Sequence, residues 1–260
     1  MNPAEYAKMY DLEDTYWWFQ GRKRIVARML DALPVFRAGG ARILDLGCGT
    51  GLMLAYLNSR HWSVGLDFSP LALVFSRRRG LQRLVQADAE RLPVAPESFD
   101  LITALDLTEH VERDDLLLAE AHRVLRPGGG LVLSVPAHPF LWSDHDEALY
   151  HFRRYRRGEL RARIQEAGFR VTRLSYCITF TFPIIVAFRW LQRLRGKSPR
   201  PKTHLIKLPP WANRIILASV ELEAFLLKCT NLPFGVTLVA VAEKPRGRKK
   251  GDPLEQGQTG

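Results

Sequence analysis

The sequence predicts an α/β protein, a doubly wound three-layer sandwich, and three observations carry that prediction. From Ala41 onward, short apolar runs alternate with amphipathic stretches, as parallel strands joined by crossover helices require. The first of these runs passes directly into a glycine-rich turn, Gly47-Cys48-Gly49-Thr50-Gly51. Roughly five or six such β/α units fit between Ala41 and Tyr176, the economy of an open parallel sheet with helices on both faces.

In order, Ala41 to Leu46 reads as a buried strand, followed by the turn and a helix over roughly 50–60. Trp62 to Phe68 is a second strand, after which Ser69 and Pro70 supply a helix cap and a first-turn proline. Arg83–Asp88, Phe99–Asp106 and Gly130–Pro136 continue the strand set, with a helix over about 113–125 before the last. Leu125-Arg126-Pro127-Gly128-Gly129 is a helix stop and turn signal. A helix over 158–169 with Gly168 as terminator leads into the strand Phe169–Tyr176, and the last strand lies within 234–244.

Four segments follow from this rhythm. Residues 1–40 form an N-terminal helical cap with the aromatic cluster Tyr16-Trp17-Trp18-Phe19 and a helix from Gly21 to Leu33. The core occupies 41–174 and 236–244, interrupted by a basic, apolar helical insertion over 175–235, and 245–260 reads as a disordered tail. The 260 residues are 47% hydrophobic and 25% charged, which excludes a disordered or fibrous chain. Cys48, Cys177 and Cys229 are few and far apart, so neither a disulfide framework nor a zinc cluster is indicated. The first twenty residues carry acids and no apolar run of signal-peptide type, and the longest uncharged apolar run, Leu174–Phe188, is too short to span a bilayer; a cytoplasmic protein is expected.

The chemistry concentrates at strand ends. Glycines in the first turn permit positive φ and close backbone approach to a ligand, beside the free amides of a helix start. Asp45 closes the first strand, Asp67 the second, and Asp88-Ala89 the third. Asp67 stands where nucleotide-binding sandwiches place an acid for the ribose hydroxyls, and Asp88 could accept the adenine amino group. Each acid alone could be a solvated loop residue. The ordered series builds one crevice. A dinucleotide is disfavoured because the G-C-G-T-G turn lacks the longer fingerprint spacing.

The runs D-L-G-C-G-T-G, V-G-L-D, A-D-A-E-R-L-P-V-A-P-E-S-F-D-L-I and L-R-P-G-G-G-L-V-L-S-V-P resemble the motif series of class I S-adenosylmethionine-dependent methyltransferases. The resemblance implies a Rossmann-like, seven-stranded sheet with an antiparallel last strand, the insertion preceding that strand. It places S-adenosyl-L-methionine over the first three strand ends. Asp45, Gly47, Cys48, Gly49 and Gly51 would line the methionine part, Asp67 the ribose, Phe68 one adenine face, and Asp88 with Ala89 the adenine edge. Tyr-Trp-Trp-Phe-Gln-Gly-Arg, the His/Asp-rich loop after Pro136 and Leu-Pro-Phe-Gly are similar to a bacterial type 11 subgroup, in which Arg22 would help cap the donor. An aromatic staple burying the first helix accounts for the same residues equally well.

A hydroxyl acceptor would benefit from a base, and the candidates are His110, His138 and His145. The spacing Asp106-x-x-Glu109-His110 is similar to that by which quinone O-methyltransferases hold a divalent metal, but Asp106 departs from the Glu of that pattern. Positioning of the next loop by Glu109 and His110 is the competing account. His138, Asp144, His145, Asp146, Glu147 and His151 crowd one loop, either for acid–base work and substrate contact or as scaffolding tied to Arg153 and Arg154.

The net charge is +11, and the insertion holds nine basic residues against two acids. Its apolar helical faces, with Trp190 and Trp211 near the junctions, suit either a lid over a hydrophobic pocket or an anionic membrane surface, which would place the protein peripherally on the inner face. Nucleic acid is the weakest partner, for no RNA-binding module is visible. The function read here is methyl transfer to an O, N or C acceptor on a small or lipid-like molecule. An RNA methyltransferase and a non-catalytic membrane-associated binding module are the alternatives.

Overall fold

The computed structural model describes residues 3–194 and 208–246. Helices α1 (Pro3–Leu12), α2 (Trp17–Asp31) and the single turn α3 (Pro34–Arg37) precede the sheet. Then come β1 (Arg42–Leu46), α4 (Leu52–Asn58), β2 (Trp62–Asp67), α5 (Pro70–Arg78), β3 (Leu84–Gln86), β4 (Phe99–Leu105), α6 (Asp114–Val124), β5 (Leu125–Pro136), α7 (Asp144–Ala148), α8 (Arg157–Glu166) and β6 (Arg170–Cys177). Helices α9 (Phe182–Leu194) and α10 (Pro210–Leu226) lead to β7 (Thr237–Glu243). The basic stretch around Lys197, Arg200, Lys202 and Lys207, and most of the expected tail, lie outside the described residues.

Among the described residues the strands form one seven-stranded sheet in the order β3-β2-β1-β4-β5-β7-β6. The first five pair in parallel, and β7 runs antiparallel to both β5 and β6. Strand order reverses between β1 and β4, opening a crevice at their carboxyl ends. Both faces are apolar, which is why the strands read as nearly continuous hydrophobic runs. Alternate residues serve opposite layers: Leu131, Leu133, Leu238 and Ala240 pack toward α6 and α8, whereas Val132, Val239 and Val241 share a core with α2 and α10.

Local chemistry explains most boundaries. Ser69 caps α5, its hydroxyl accepting from the Ala72 amide at 3.4 Å, with Pro70 in the first turn. Gly168, at φ 90°, ends α8. Two readings needed revision. Leu125 to Gly129 stops α6 as expected but immediately enters β5, with a register break opposite Phe99/Leu101, rather than forming a free turn. The helix expected from Gly21 begins earlier, at Trp17, so most of the aromatic cluster belongs to α2 itself, with Trp17 and Phe19 buried.

The cap and the insertion pack on each other across Gly21, where a Cβ would stand 2.8 Å from Val220 Cγ1. Asn213 reinforces the contact, its side chain accepting from the Trp17 amide and donating to the Thr15 carbonyl, both at 2.9 Å. A buried carboxyl helps anchor the insertion to the sheet, beside bonds from Leu232 to Ser175 and from Arg173 to Thr230 and Asn231. Glu223, fully buried on α10, accepts from the backbone amides of Ile178 and Thr179 just past β6. Ile178 sits at φ 60°, a strained conformation for a β-branched residue that this contact helps hold. Replacing Glu223 by Ala strands two buried donors, each costing about 1–3 kcal/mol. Glu223→Ala is expected to lower unfolding free energy by about 3 kcal/mol in urea titrations; a loss below 1 kcal/mol would show that the anchor is dispensable.

Candidate active site

A cavity of about 940 Å³ lies over the carboxyl ends of β1, β2 and β4. That is near the top of the range of about 300–1,000 Å³ for small-molecule sites. Its roof comes from α1 and α2, its far wall from α9 and α10.

The donor half is built on the glycine turn. Gly47, Gly49 and Gly51 have φ of 66°, 55° and 90°, conformations that L side chains resist. The turn is bonded from within: the Cys48 amide donates to Leu66 O at 3.0 Å and the Gly49 amide to Asp67 Oδ2 at 2.9 Å. Thr50 donates from its hydroxyl to the buried Glu13 at the end of α1, and Arg79 bridges Glu13 to the Thr50 carbonyl. The N-terminal cap is thus latched to the turn.

Asp45 is buried at the end of β1. Its Oδ1 accepts from the Thr103 hydroxyl at 2.6 Å, while Oδ2 is buried and lacks a partner among the described residues. Burial raises its pKa to about 7, the Thr103 bond opposing and Asp67 adding to the shift. Asp67 accepts one backbone amide on each oxygen, from Ser69 at 2.8 Å and from Gly49. A carboxylate has about four lone-pair sites, so two further donors can still be taken. Burial raises the Asp67 pKa despite those two bonds. Phe68 lines the cavity though 73% of it is exposed, Ala89 is buried against it, and Asp88 lies at its rim. Arg22 pairs with Asp106, whose other oxygen accepts from the Ser134 hydroxyl at 2.7 Å.

The acceptor half holds Glu109, His110, His145, His151, Arg154 and Arg189. Glu109 is 1% exposed, with Oε2 unpartnered among the described residues. Burial lifts its carboxyl to about 8 against the pull of Arg22 and Arg154. Burial likewise drops His110 and His145 to about 3, with His151 and Arg189 respectively adding to the effect. His110 meets the His151 ring edge-on at 4.6 Å. Asp146 anchors the whole loop, fully buried and accepting from His151 Nδ1 at 3.0 Å, Arg154 Nε at 2.7 Å and the Ser143 amide at 2.9 Å. The crowded loop therefore divides: Asp146 is scaffold, while His145 and His151 face the cavity.

Three expectations shift. His138 does not line the cavity; it stacks flat on Tyr176 at 5.0 Å and lies against Phe140 and Phe182. Gly51 does not line it either. A Cβ there would stand 2.6 Å from Leu81 Cδ1 and 2.8 Å from Ser76 Oγ, so its role is to let α4 pack on α5. The metal alternative at Asp106-x-x-Glu109-His110 loses its first ligand, because Arg22 and Ser134 occupy the Asp106 carboxylate. Glu109, His110 and His151 bring one ligand atom each within 4.8 Å, but the charges of Arg22 and Arg154 beside them oppose a cation. Tyr6, Met9 and Glu13 of α1 and Arg189 of α9 were not singled out as site residues, since their positions depend on how the cap and insertion dock.

Residues 44–133 match the family model described as a methyltransferase domain. Over 142 residues the chain is 36% identical to the demethylmenaquinone methyltransferase of Thermus thermophilus, covering 50% of this chain and 62% of that protein. It is 32% identical over 168 residues to the malonyl-[acyl-carrier protein] O-methyltransferase of Geobacter sulfurreducens (57% and 63%). To the ubiquinone biosynthesis O-methyltransferase of Pseudomonas aeruginosa it is 33% identical over 107 residues (38% and 46%). The chain thus spans between about half and two thirds of these relatives. An S-adenosylmethionine-dependent methyltransferase structure from Thermotoga maritima superposes with a TM-score of 0.57 at 18% identity, covering 93% of this chain and 95% of that one. The chain's fold is accordingly that of this structure.

Asp45 and Glu109 hold protons in the folded state that the unfolded chain releases near pH 4, so their contribution to stability is full at low pH and lost as pH rises through 7 and 8. The thermal midpoint of the ligand-free protein is expected to fall from pH 5 to 8. Asp45→Asn should flatten that slope, by at most about 1.4 kcal/mol per pH unit. An unchanged slope would mean that Asp45 is ionised when folded.

Proposed function

We propose that this chain, whose residues 44–133 match a methyltransferase domain, is a class I S-adenosylmethionine-dependent methyltransferase that transfers a methyl group from that donor to an O, N or C acceptor on a small or lipid-like molecule. The observation supporting this reading most directly is the row of acids at successive strand ends, with an unpartnered buried oxygen on Asp45 beside the glycine turn. The residues fit the donor. Asp45 would take its ammonium group, Asp67 the two ribose hydroxyls with its remaining lone pairs, Phe68 an adenine face, and Asp88 with Ala89 the adenine edge. S-adenosylmethionine supplies an electrophilic methyl group on a sulfonium centre.

The chain's own contribution is chiefly alignment and dryness. Such pre-orientation can account for most of a displacement reaction's acceleration. Trp17, Trp18 and Phe19 on α2, with Ile185 and Phe188 on α9, exclude water from the acceptor half. His110 and His145 stay neutral there. Placing a proton on either at pH 7 costs about 5 kcal/mol, so they act as hydrogen-bond partners that orient an acceptor rather than as proton stores. The relatives named for quinone and malonyl-carrier acceptors support a small-molecule acceptor with an apolar part.

A membrane surface as the source of the acceptor has its own support. Trp190 and Trp211 are 62% and 67% exposed, with Leu191, Ile215, Leu222 and Phe225 also exposed on α9 and α10. Among the described residues no helix is long and apolar enough to cross a bilayer. Neutralising Lys197, Arg200, Lys202 and Lys207 should reduce flotation with anionic liposomes and leave donor affinity intact; unchanged flotation would argue for a plain lid. For the donor itself, calorimetry with S-adenosylhomocysteine is expected to show at least tenfold weaker binding by Asp67→Ala. Equal affinity would remove the ribose assignment, and transfer of label from donor to RNA rather than to lipid or small molecules would overturn the acceptor class.

A further inference from the structure

Three arginines line the cavity among the described residues, and two of them are matched. Arg22 pairs with Asp106 and Arg154 with Asp146. Arg189 differs. Its Nη1 donates to Gln192 Oε1 at 3.2 Å, and among the described residues it forms no ion pair with a carboxylate. It is half-buried, and burial together with the nearby Arg154 charge lowers its pKa, the signature of a cation held without adequate compensation. An arginine in such surroundings remains charged, so the uncompensated charge persists at any working pH.

The surroundings of Arg189 select what could compensate it. His145 beside it is neutral. Elsewhere on the same cavity wall the lining includes hydrocarbon from Ile184, Ile185 and Phe188 on α9 and Ile216 on α10. Helix α9 carries Ile185 and Arg189 four residues apart, on one face, so the guanidinium stands at the end of an apolar strip. Asp144 and Asp146 act on Arg189 only from a distance, and Asp146 is already committed to Arg154 and His151.

Resting on the methyltransferase reading, we propose that Arg189 is a specificity-determining residue which receives an anionic group of the methyl acceptor, a carboxylate or a phosphate, while the acceptor's apolar body lies between α9 and α10. The planar guanidinium offers two parallel donors to such a group, a geometry that lysine does not reproduce. Setting a ligand anion against an otherwise unpaired, half-buried cation offsets part of its desolvation penalty, so an anion should be preferred. A neutral lipid would leave that penalty in place.

The test uses the full-length protein and ten-carbon probes below their micelle thresholds: decanoate, decyl phosphate and 1-decanol, followed by tryptophan fluorescence, since Trp17 and Trp18 line the cavity. Wild-type protein is expected to bind at least one of the two anions tenfold or more tightly than 1-decanol, and which one identifies the group as carboxylate or phosphate. Arg189→Met should erase that preference while changing 1-decanol affinity less than twofold. Arg214→Met, which removes an exposed charge of the same insertion, should retain it. Equal binding of anions and alcohol by the wild type would overturn the proposal. So would an anion preference surviving in Arg189→Met, or lost equally in Arg214→Met. S-adenosylhomocysteine affinity is measured in parallel: its absence in the wild type would defeat the donor reading, whereas the probe comparison still reads Arg189.

Discussion

The reversal of strand order between β1 and β4 is the constraint on which the rest depends. Strands added outward from β1 in one direction, and from β4 in the other, leave the carboxyl ends of the central pair without a covering crossover. Everything placed there must therefore come from elsewhere in the chain. The glycine turn fills the floor, α1 and α2 arrive from the N-terminal side, and α9 and α10 arrive from the segment before β7. Once that gap exists, Asp45, Asp67 and Asp88 face it because they end neighbouring strands.

Electrostatics sharpen the division between the two halves of the cavity. The donor half is rich in carboxyl groups, of which Asp45 is raised to about 7 by burial. The acceptor half balances its arginines against Asp106 and Asp146 and otherwise presents neutral imidazoles. A buried polar network tolerates little incompleteness. Unfinished positions on the cavity lining, Asp45 Oδ2, Glu109 Oε2, His145 Nδ1 and Thr181 Oγ1 among the described residues, together with the guanidinium of Arg189, are consequently where ligand atoms are expected.

The sequence made the core strands, the glycine turn and the strand-end acids legible because all rest on local signals: apolar runs, a glycine spacing, an acid at each strand end. Gly51 shows the limit of such reading. Its spacing marks it as part of the turn, but whether the missing Cβ makes room for ligand or for Leu81 is a tertiary fact. His138, at φ 61°, illustrates the same limit on a loop: its ring stacks on Tyr176 rather than entering the cavity. Helix α1 carries no strong periodic signal, and its place over the donor site follows from Glu13 and Arg79, which are distant in sequence. The acceptor half was least legible because it is assembled by docking rather than by any one motif.

The position of β7 between β5 and β6 gives the chain a temporal order as well as a spatial one. Emerging from the ribosome, residues up to Pro136 can complete the parallel half and its glycine turn by pairing with strands already made. Strand β6, although synthesised earlier than β7, has no hydrogen-bonding partner in the sheet until β7 slides in beside β5. Helix α10, tied by Glu223 to the end of β6, inherits the same delay. A nascent chain can thus present a formed glycine-turn floor well before it owns the opposite wall of the cavity, and the apolar faces of α9 and α10 are the last to find their place.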